Sequence, residues 1–266
     1  MSSFRWAAHR GGALVWPENS LLAFRESLAL GAPLLELDVH LTRDGDLAVV
    51  HDAKLERTTD ATGVVADRTS DELRRIRLRD RNGTLTGERV PMLADVLALV
   101  VPSPAGLLLE VKGPGIAAVY ERHAGGVRAI GGPRYDGLEQ CVLAALDAGR
   151  MRHRTTVLAF NPDVIAALRV LASDVRTTLV VSARHLAMAS ATVDELLDLA
   201  QSLGAEDVGV EHTLADAALV DGVRRRGMTA GVWTVNEAAL MRRYADLGIE
   251  IVTTDRPDIA AQVFHA

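Results

Sequence analysis

Two short apolar runs in the sequence carry charged residues in pairs. Glu36 and Asp38 stand two apart in Leu34–Val39, and Glu110 and Lys112 stand two apart in Leu107–Lys112. In an extended strand, residues two apart project to the same side. Carboxylates inside an otherwise apolar wall need a cationic partner. Three carboxylates converging from neighbouring strands, with no thiol and few imidazoles among them, form a hard-oxygen set suited to one divalent cation, Mg²⁺ or Ca²⁺. A buried ion-pair network around Lys112 is the other reading of the same spacing.

Histidines stand at the ends of two more extended runs. His9 closes Arg5–His9, and His51 follows Leu47–Val50. A phosphodiester is anionic, repels nucleophiles and has a poor alkoxide leaving group. Its cleavage needs charge neutralisation, a base and an acid. A cation with Arg10 and Lys112 supplies the first, and two imidazoles titrating near neutrality supply the others. Singly, each histidine reads as an ordinary polar residue; at consecutive strand ends the two are better explained by catalysis. His40 shares the parity of Glu36 and Asp38 but is expected beyond the strand end, as a rim contact. His123, His153, His185, His212 and His265 lack such company and are left unassigned. Trp233, at a strand end, reads either as core or as an apolar wall for part of a substrate.

These residues require a scaffold of parallel strands. Strands are expected near Arg5–His9, Leu34–Val39, Leu107–Lys112, Thr156–Phe160, Thr177–Val181, Asp207–Glu211, Thr229–Thr234 and Ile249–Thr253, most of them followed by helix-period stretches. Asn161-Pro162 and Asp255-Arg256-Pro257 look like helix starts, Asn236 is expected to open another helix, and Gly248 to close it. Eight such units predict an α/β fold, a (β/α)₈ TIM barrel with a small insertion after the second strand, as one domain over residues 1–266. The insertion, at about 52–90, is expected to hold a short helix around Ser70–Arg77. A second excursion, Gly113–Gly137, is rich in Gly and Pro. Both follow strands, so both belong on the face where barrel active sites lie. Arg74, Arg75, Arg77, Arg79 and Arg81 read as a solvated face paired with Asp71, Glu72 and Asp80, in preference to an anion site.

Composition agrees with this class. The chain has 266 residues, about the size of one such barrel; 48% are apolar and only 4% aromatic. A formal net charge of −6 argues against nucleic acid as a partner. Cys141 is the only cysteine, so no internal disulfide can form. The longest apolar run, near Val96–Val101, is far short of an integral membrane segment, and no leader-like stretch precedes the first strand. The expected location is cytoplasmic.

The chemistry-bearing residues also lie in a recognisable order: His9-Arg-Gly-Gly12, Pro17-Glu-Asn-Ser20, Glu36-Leu-Asp-Val-His-Leu-Thr-Arg-Asp-Gly45, Val49-Val-His-Asp52, Arg57-Thr-Thr59, Glu110-Val-Lys112, Phe160-Asn-Pro162 and Trp233-Thr-Val-Asn236. From end to end this resembles the glycerophosphodiester phosphodiesterase family, the first half being the specific part. The resemblance implies a (β/α)₈ barrel that hydrolyses glycerophosphodiesters to glycerol 3-phosphate and an alcohol through a cyclic phosphate. It implies metal ligation by Glu36, Asp38 and Glu110, acid/base roles for His9 and His51, phosphate contacts by Arg10 and Lys112, and Asn19 as a polar residue beside the metal. Trp233 joins the expected substrate-binding set. Three positions depart from the pattern. Ser20 replaces the usual threonine, Arg43 a common lysine, and Gly113–Gly137 is longer and more glycine-rich than expected, which bears on substrate size.

Three other readings share parts of this pattern. A related phospholipase-D-like barrel acting on lysolipids would want a broad apolar rim. An enolase-type barrel would place single acidic ligands on three successive strands, unlike the Glu36/Asp38 pair. A non-catalytic phosphate-ligand-binding barrel would not need the full set of acid, base and ligand types present here.

Overall fold

A computed structural model describes residues 4–264; His265 lies outside the described residues. Eight parallel strands run in chain order: β1 Arg5–Ala8, β2 Leu34–Leu41, β3 Gly106–Val111, β4 Thr155–Ala159, β5 Arg176–Val181, β6 Asp207–Glu211, β7 Thr229–Trp233 and β8 Ile251–Thr254. Each pairs with its sequence neighbours, and β1 pairs with both β2 and β8, so the sheet closes. All eight expected strands are present, and at least one helix follows each.

The strands are apolar because both faces are covered. Their outward side chains pack with the helices into one large cluster that includes Trp6, Leu35, Leu37, Leu107, Leu109, Val157 and Leu179. Inside, a small floor forms from Ala7, Leu34 and Leu108, with Leu158 and Ile251 against it. One pleat further on, the same inward parity brings His9, Glu36, Glu110, Phe160 and Thr253. A dry apolar layer therefore seals the barrel directly beneath its polar mouth.

Chain signals set most helix ends. The Ser20 hydroxyl caps Leu21–Ala29 by accepting from the Ala23 N–H, and Asn161 caps Pro162–Leu171 by accepting from Asp163. Gly248 ends Ala238–Leu247 with φ +96°. Asn236 does not open that helix, contrary to expectation: its amide carbonyl accepts from the Asp255 N–H at 2.8 Å, and the helix starts without a side-chain cap. A tertiary partner outbid the local one.

The two excursions have structure that periodicity did not reveal. The helix expected at Ser70–Arg77 is only Ser70–Leu73, with a capping box from Thr69 and Glu72; Arg77–Arg79 then forms a hairpin with Leu85–Arg89. Leu55, Val65, Leu73, Leu78 and Val90 give this segment its own core against Ala48, Val50 and Met92. Four of the five arginines are engaged, but with other partners than expected. Arg74 pairs with Asp95 and Arg77 with Asp60, while Arg79 and Arg81 donate to the carbonyls of Thr59 and Leu14. Within Gly113–Gly137, strands Ala118–His123 and Gly126–Gly131 form a second hairpin. A Cβ on Gly132 would overlap the Ile116 carbonyl, so glycine here lets the two arms touch at their base.

No helix among the described residues is long and apolar enough to cross a membrane.

The turn after β1 is the most constrained backbone near the mouth. Arg10, Gly11 and Gly12 all have positive φ, at 50°, 74° and 106°. A Cβ on Gly12 would lie 2.7 Å from Pro257 Cγ and 3.0 Å from the Trp16 ring. Gly12→Ala combines backbone strain with overpacking and should cost roughly 2–4 kcal/mol in urea unfolding. Gly45→Ala has a similar φ of +83° but nothing within 4 Å of the new Cβ. It should cost only about 1 kcal/mol; equal losses would show that packing at Gly12 is irrelevant.

Candidate active site

Strands β2 and β3 are paired in register, with Asp38 opposite Glu110. Their inward parity brings Glu36, Asp38 and Glu110 together, all buried, with one oxygen from each within 4.8 Å of the others. Lys112, just past β3, forms ion pairs with Asp38 Oδ1 at 3.0 Å and with Glu110. Arg10 Nε lies 3.3 Å from Asp38 Oδ2, and Asn19 Nδ2 donates to the same oxygen at 2.9 Å. The tight turn after β1 brings the Arg10 backbone N–H onto Glu36 Oε2 at 2.8 Å. The ion pairs of the alternative sequence reading are thus present around the same three carboxylates.

Two histidines flank the cluster, each with Nδ1 tied to a carboxylate. His9 Nδ1 lies 2.6 Å from Asp255 Oδ1, whose other oxygen accepts from Asn236 Nδ2 at 3.0 Å. His51 Nδ1 lies 2.6 Å from Asp52 Oδ1, whose other oxygen accepts from Arg57 Nε. Arg57 reaches on to Glu18 in a two-point pair at 2.8 and 2.9 Å, and Glu18 also takes Arg10 Nη1 at 3.0 Å. Fixing Nδ1 leaves Nε2 as the outer ring nitrogen in both, and His9 Nε2 lies 4.0 Å from Glu36.

Electrostatics follow from this packing. Burial disfavours charge on Asp38, but Lys112 and Arg10 hold its carboxyl far below the usual range. Glu36 goes the other way: burial, then Asp38, push it up to about 8. Lys112 stays firmly protonated despite burial, because Asp38 and Glu110 face it. Burial would lower His9, but Glu36 and the Asp255 bond outweigh it and raise its pKa. Burial prevails at His51, with Lys112 and Arg10 opposing Asp38 and Asp52, and its pKa falls.

The structure gathers all nine expected site residues at one mouth. A half-open cavity of about 200 Å³ is lined by His9, Arg10, Glu36, His51, Glu110, Lys112 and Trp233, among others. Asn19 lies behind it on Asp38. Trp233 is therefore a wall: its indole N–H donates to the Gly209 carbonyl at 3.0 Å, and its ring meets Phe160 edge-on at 5.6 Å between centroids.

His40 corrects an expectation. It lies within β2, fully buried, not on the rim. One ring nitrogen meets the His51 carbonyl at 3.0 Å and the other the Tyr135 hydroxyl at 3.0 Å. Burial drives its pKa down to about 4, so it is a neutral strut beneath His51. Asp255 was missed as part of the site. Its one sequence signal, an acidic residue just after the last strand, reads equally as a helix start.

Comparison with known proteins gives a consistent picture. The profile of the glycerophosphoryl diester phosphodiesterase family matches residues 9–259. A glycerophosphodiester phosphodiesterase from Caldanaerobacter subterraneus subsp. tengcongensis is 27% identical over 94% of this chain and 93% of its own length. The solved structure of an Agrobacterium tumefaciens protein superimposes with a TM-score of 0.83 at 27% identity, covering 98% of this chain and 97% of that one. An Oleispira antarctica phosphodiesterase, solved in complex with the product sn-glycerol-3-phosphate, is 21% identical. It shares the fold, with a TM-score of 0.76 over 98% of this chain and 97% of its own.

The raised pKa of Glu36 has a measurable consequence. The folded protein keeps a proton that the unfolded chain, with an ordinary value of 4.5, releases. Stability of the metal-free protein should therefore fall as pH rises from about 4.5 to 8, by up to about 1.4 kcal/mol per pH unit from this group. Glu36→Gln mimics the protonated form. In EDTA its advantage over the parent in urea unfolding should widen between pH 5 and 8. A difference that stays flat with pH would mean Glu36 is ionised throughout.

Proposed function

Because the chain belongs to the glycerophosphoryl diester phosphodiesterase family, we propose that its barrel mouth hydrolyses glycerophosphodiesters to glycerol 3-phosphate and an alcohol with the aid of one divalent cation and two histidines. It is a phosphoric diester hydrolase. One observation carries the finer reading: three buried carboxylate oxygens within 4.8 Å of one another, flanked by two histidine–carboxylate pairs.

The donor set fits a hard cation. Glu36, Asp38 and Glu110 would hold Mg²⁺ or Ca²⁺ through oxygen alone, and burial followed by the nearby Asp38 pushes the Glu36 pKa up in the absence of an ion. When bound, the ion supplies charge neutralisation for the anionic ester.

The chain's own residues do the rest. Arg10 and Lys112 reach the cavity beside the carboxylates and contact phosphate oxygens. Asn19 keeps Asp38 in its orientation. Trp233 and Phe160 give the glycerol an apolar wall and exclude water. One histidine Nε2 takes the proton of the glycerol 2-hydroxyl as that oxygen bonds to phosphorus. The other protonates the departing alkoxide as the phosphorus–alcohol bond breaks. A cyclic glycerophosphate remains, with the histidines' proton states exchanged. Water then opens the ring by the reverse transfers, giving glycerol 3-phosphate. Tethering the nucleophile is the main gain, since effective molarities of such reactions reach about 10⁵ M or more.

A panel of glycerophosphodiesters with Mg²⁺, Ca²⁺ or Mn²⁺, assayed for glycerol 3-phosphate, tests the reading. EDTA should abolish turnover and Mg²⁺ or Ca²⁺ restore it; full activity after exhaustive chelation would exclude a metal role. His9→Ala and His51→Ala should each lower kcat by about 10²–10⁴-fold. A substrate lacking the glycerol 2-hydroxyl should react orders of magnitude more slowly. Equal rates for the two substrates would mean that water attacks directly.

A further inference from the structure

A second cavity, of about 530 Å³, adjoins the first; His51, Glu110, Lys112 and Phe160 line both. On the hydrolase reading above, an ester held by Lys112 beside His51 would have its phosphorus at this junction, its glycerol toward the smaller cavity and its alcohol toward the larger. The large cavity is walled by the segment after His51 on one side and by both arms of the Gly113–Gly137 excursion on the other.

Its chemistry is unbalanced toward apolar surface. Ala53, Val111, Ala117, Pro133, Leu138 and Val164 face it, with Phe160 as the one Phe, Tyr or Trp side chain. Each carboxylate on the wall already has a cation. Asp52 is held by His51 and Arg57, Glu110 by Lys112, and Glu139 by Arg134 at 2.8 Å. Lys112 also lies 5.8 Å from the centre of the Phe160 ring, on the π-system a quaternary ammonium would use. A cationic head group would thus meet Lys54, Lys112 and Arg134 with no unpaired anion to receive it. The apolar character continues outward. Ile116, between the lining residues Gly115 and Ala117, is 70% exposed, and Val119 and Ile130, paired across the hairpin, are both exposed.

We infer that this second cavity is a leaving-alcohol subsite built by the hairpin excursion, and that it selects glycerophosphodiesters whose alcohol has an uncharged apolar body over those with cationic head groups. The inference rests on the hydrolase reading above and names the substrate class of the same site. A buried methylene contributes about 0.8 kcal/mol, or roughly fourfold in kcat/KM when the contact is kept in the transition state.

The test is a series of glycerophosphodiesters of methanol, butanol and octanol, beside the choline and ethanolamine esters, with the cation-loaded protein and release of glycerol 3-phosphate as the readout. The butyl ester should exceed the methyl ester in kcat/KM by at least about tenfold, and the choline and ethanolamine esters should not exceed the methyl ester. Ala53→Phe and Ala117→Phe, from opposite walls, should each lower the butyl-to-methyl ratio by about tenfold. A ratio within one preparation is independent of the fraction folded, so weakened folding cannot mimic the effect. Equal kcat/KM across the alcohols, a preference for the choline or ethanolamine ester, or an unchanged ratio in both variants would overturn the inference while leaving the hydrolase reading intact. Release of no glycerol 3-phosphate from any ester would instead remove the hydrolase reading itself.

Discussion

Three carboxylates crowded into a barrel mouth, with an apolar floor beneath them, must be neutralised, and much of the surrounding structure answers that need. Lys112 and Arg10 come from two different strand ends to face Asp38. Even so, burial and then the neighbouring Asp38 push the pKa of Glu36 up. A buried group of like charges is costly in isolation. On the reading proposed above, a divalent cation would offset that cost. Arg57 and Glu18 extend the compensation outward, so that the pairs holding His51 and Arg10 belong to one connected network.

The layered interior explains how such a cluster coexists with a stable fold. Ala7, Leu34 and Leu108 lie one pleat below His9, Glu36 and Glu110. Strand parity therefore assigns alternate inward positions to packing and to chemistry without mixing them. The two excursions sit on the same rim but serve differently. The first carries a small core of its own beside the short strand Leu47–Val49 that leads to His51. The second contributes Tyr135, which braces His40 under the His51 carbonyl, and one wall of the large cavity.

How much of this was legible in the sequence depended on distance along the chain. The eight strands and the Glu36, Asp38, Glu110 set could be read because parity within a strand is a local property. So could the helix start at Asn161 and the helix end at Gly248. Partnerships spanning the barrel could not. His9 and Asp255 are 246 residues apart, and neither neighbourhood announces the other. Asn236 looked like a helix start because its local signal was correct, yet its hydrogen bonds went to β8's end instead. His40 was misplaced by a strand boundary drawn two residues short, and the hairpin at 118–131 was hidden by the glycines that permit its close approach.

The bond between His9 and Asp255 spans the seam where the first and last strands of the ring meet. The order of synthesis then has a chemical meaning. β1, β2 and β3, which carry or lead to the three acids, all precede Asp255 in the chain. The orientation of the His9 imidazole waits for the final strand. That tether is acquired only with the closing of the ring. In reverse, fraying of β8 would free the His9 ring while most of the core stayed packed.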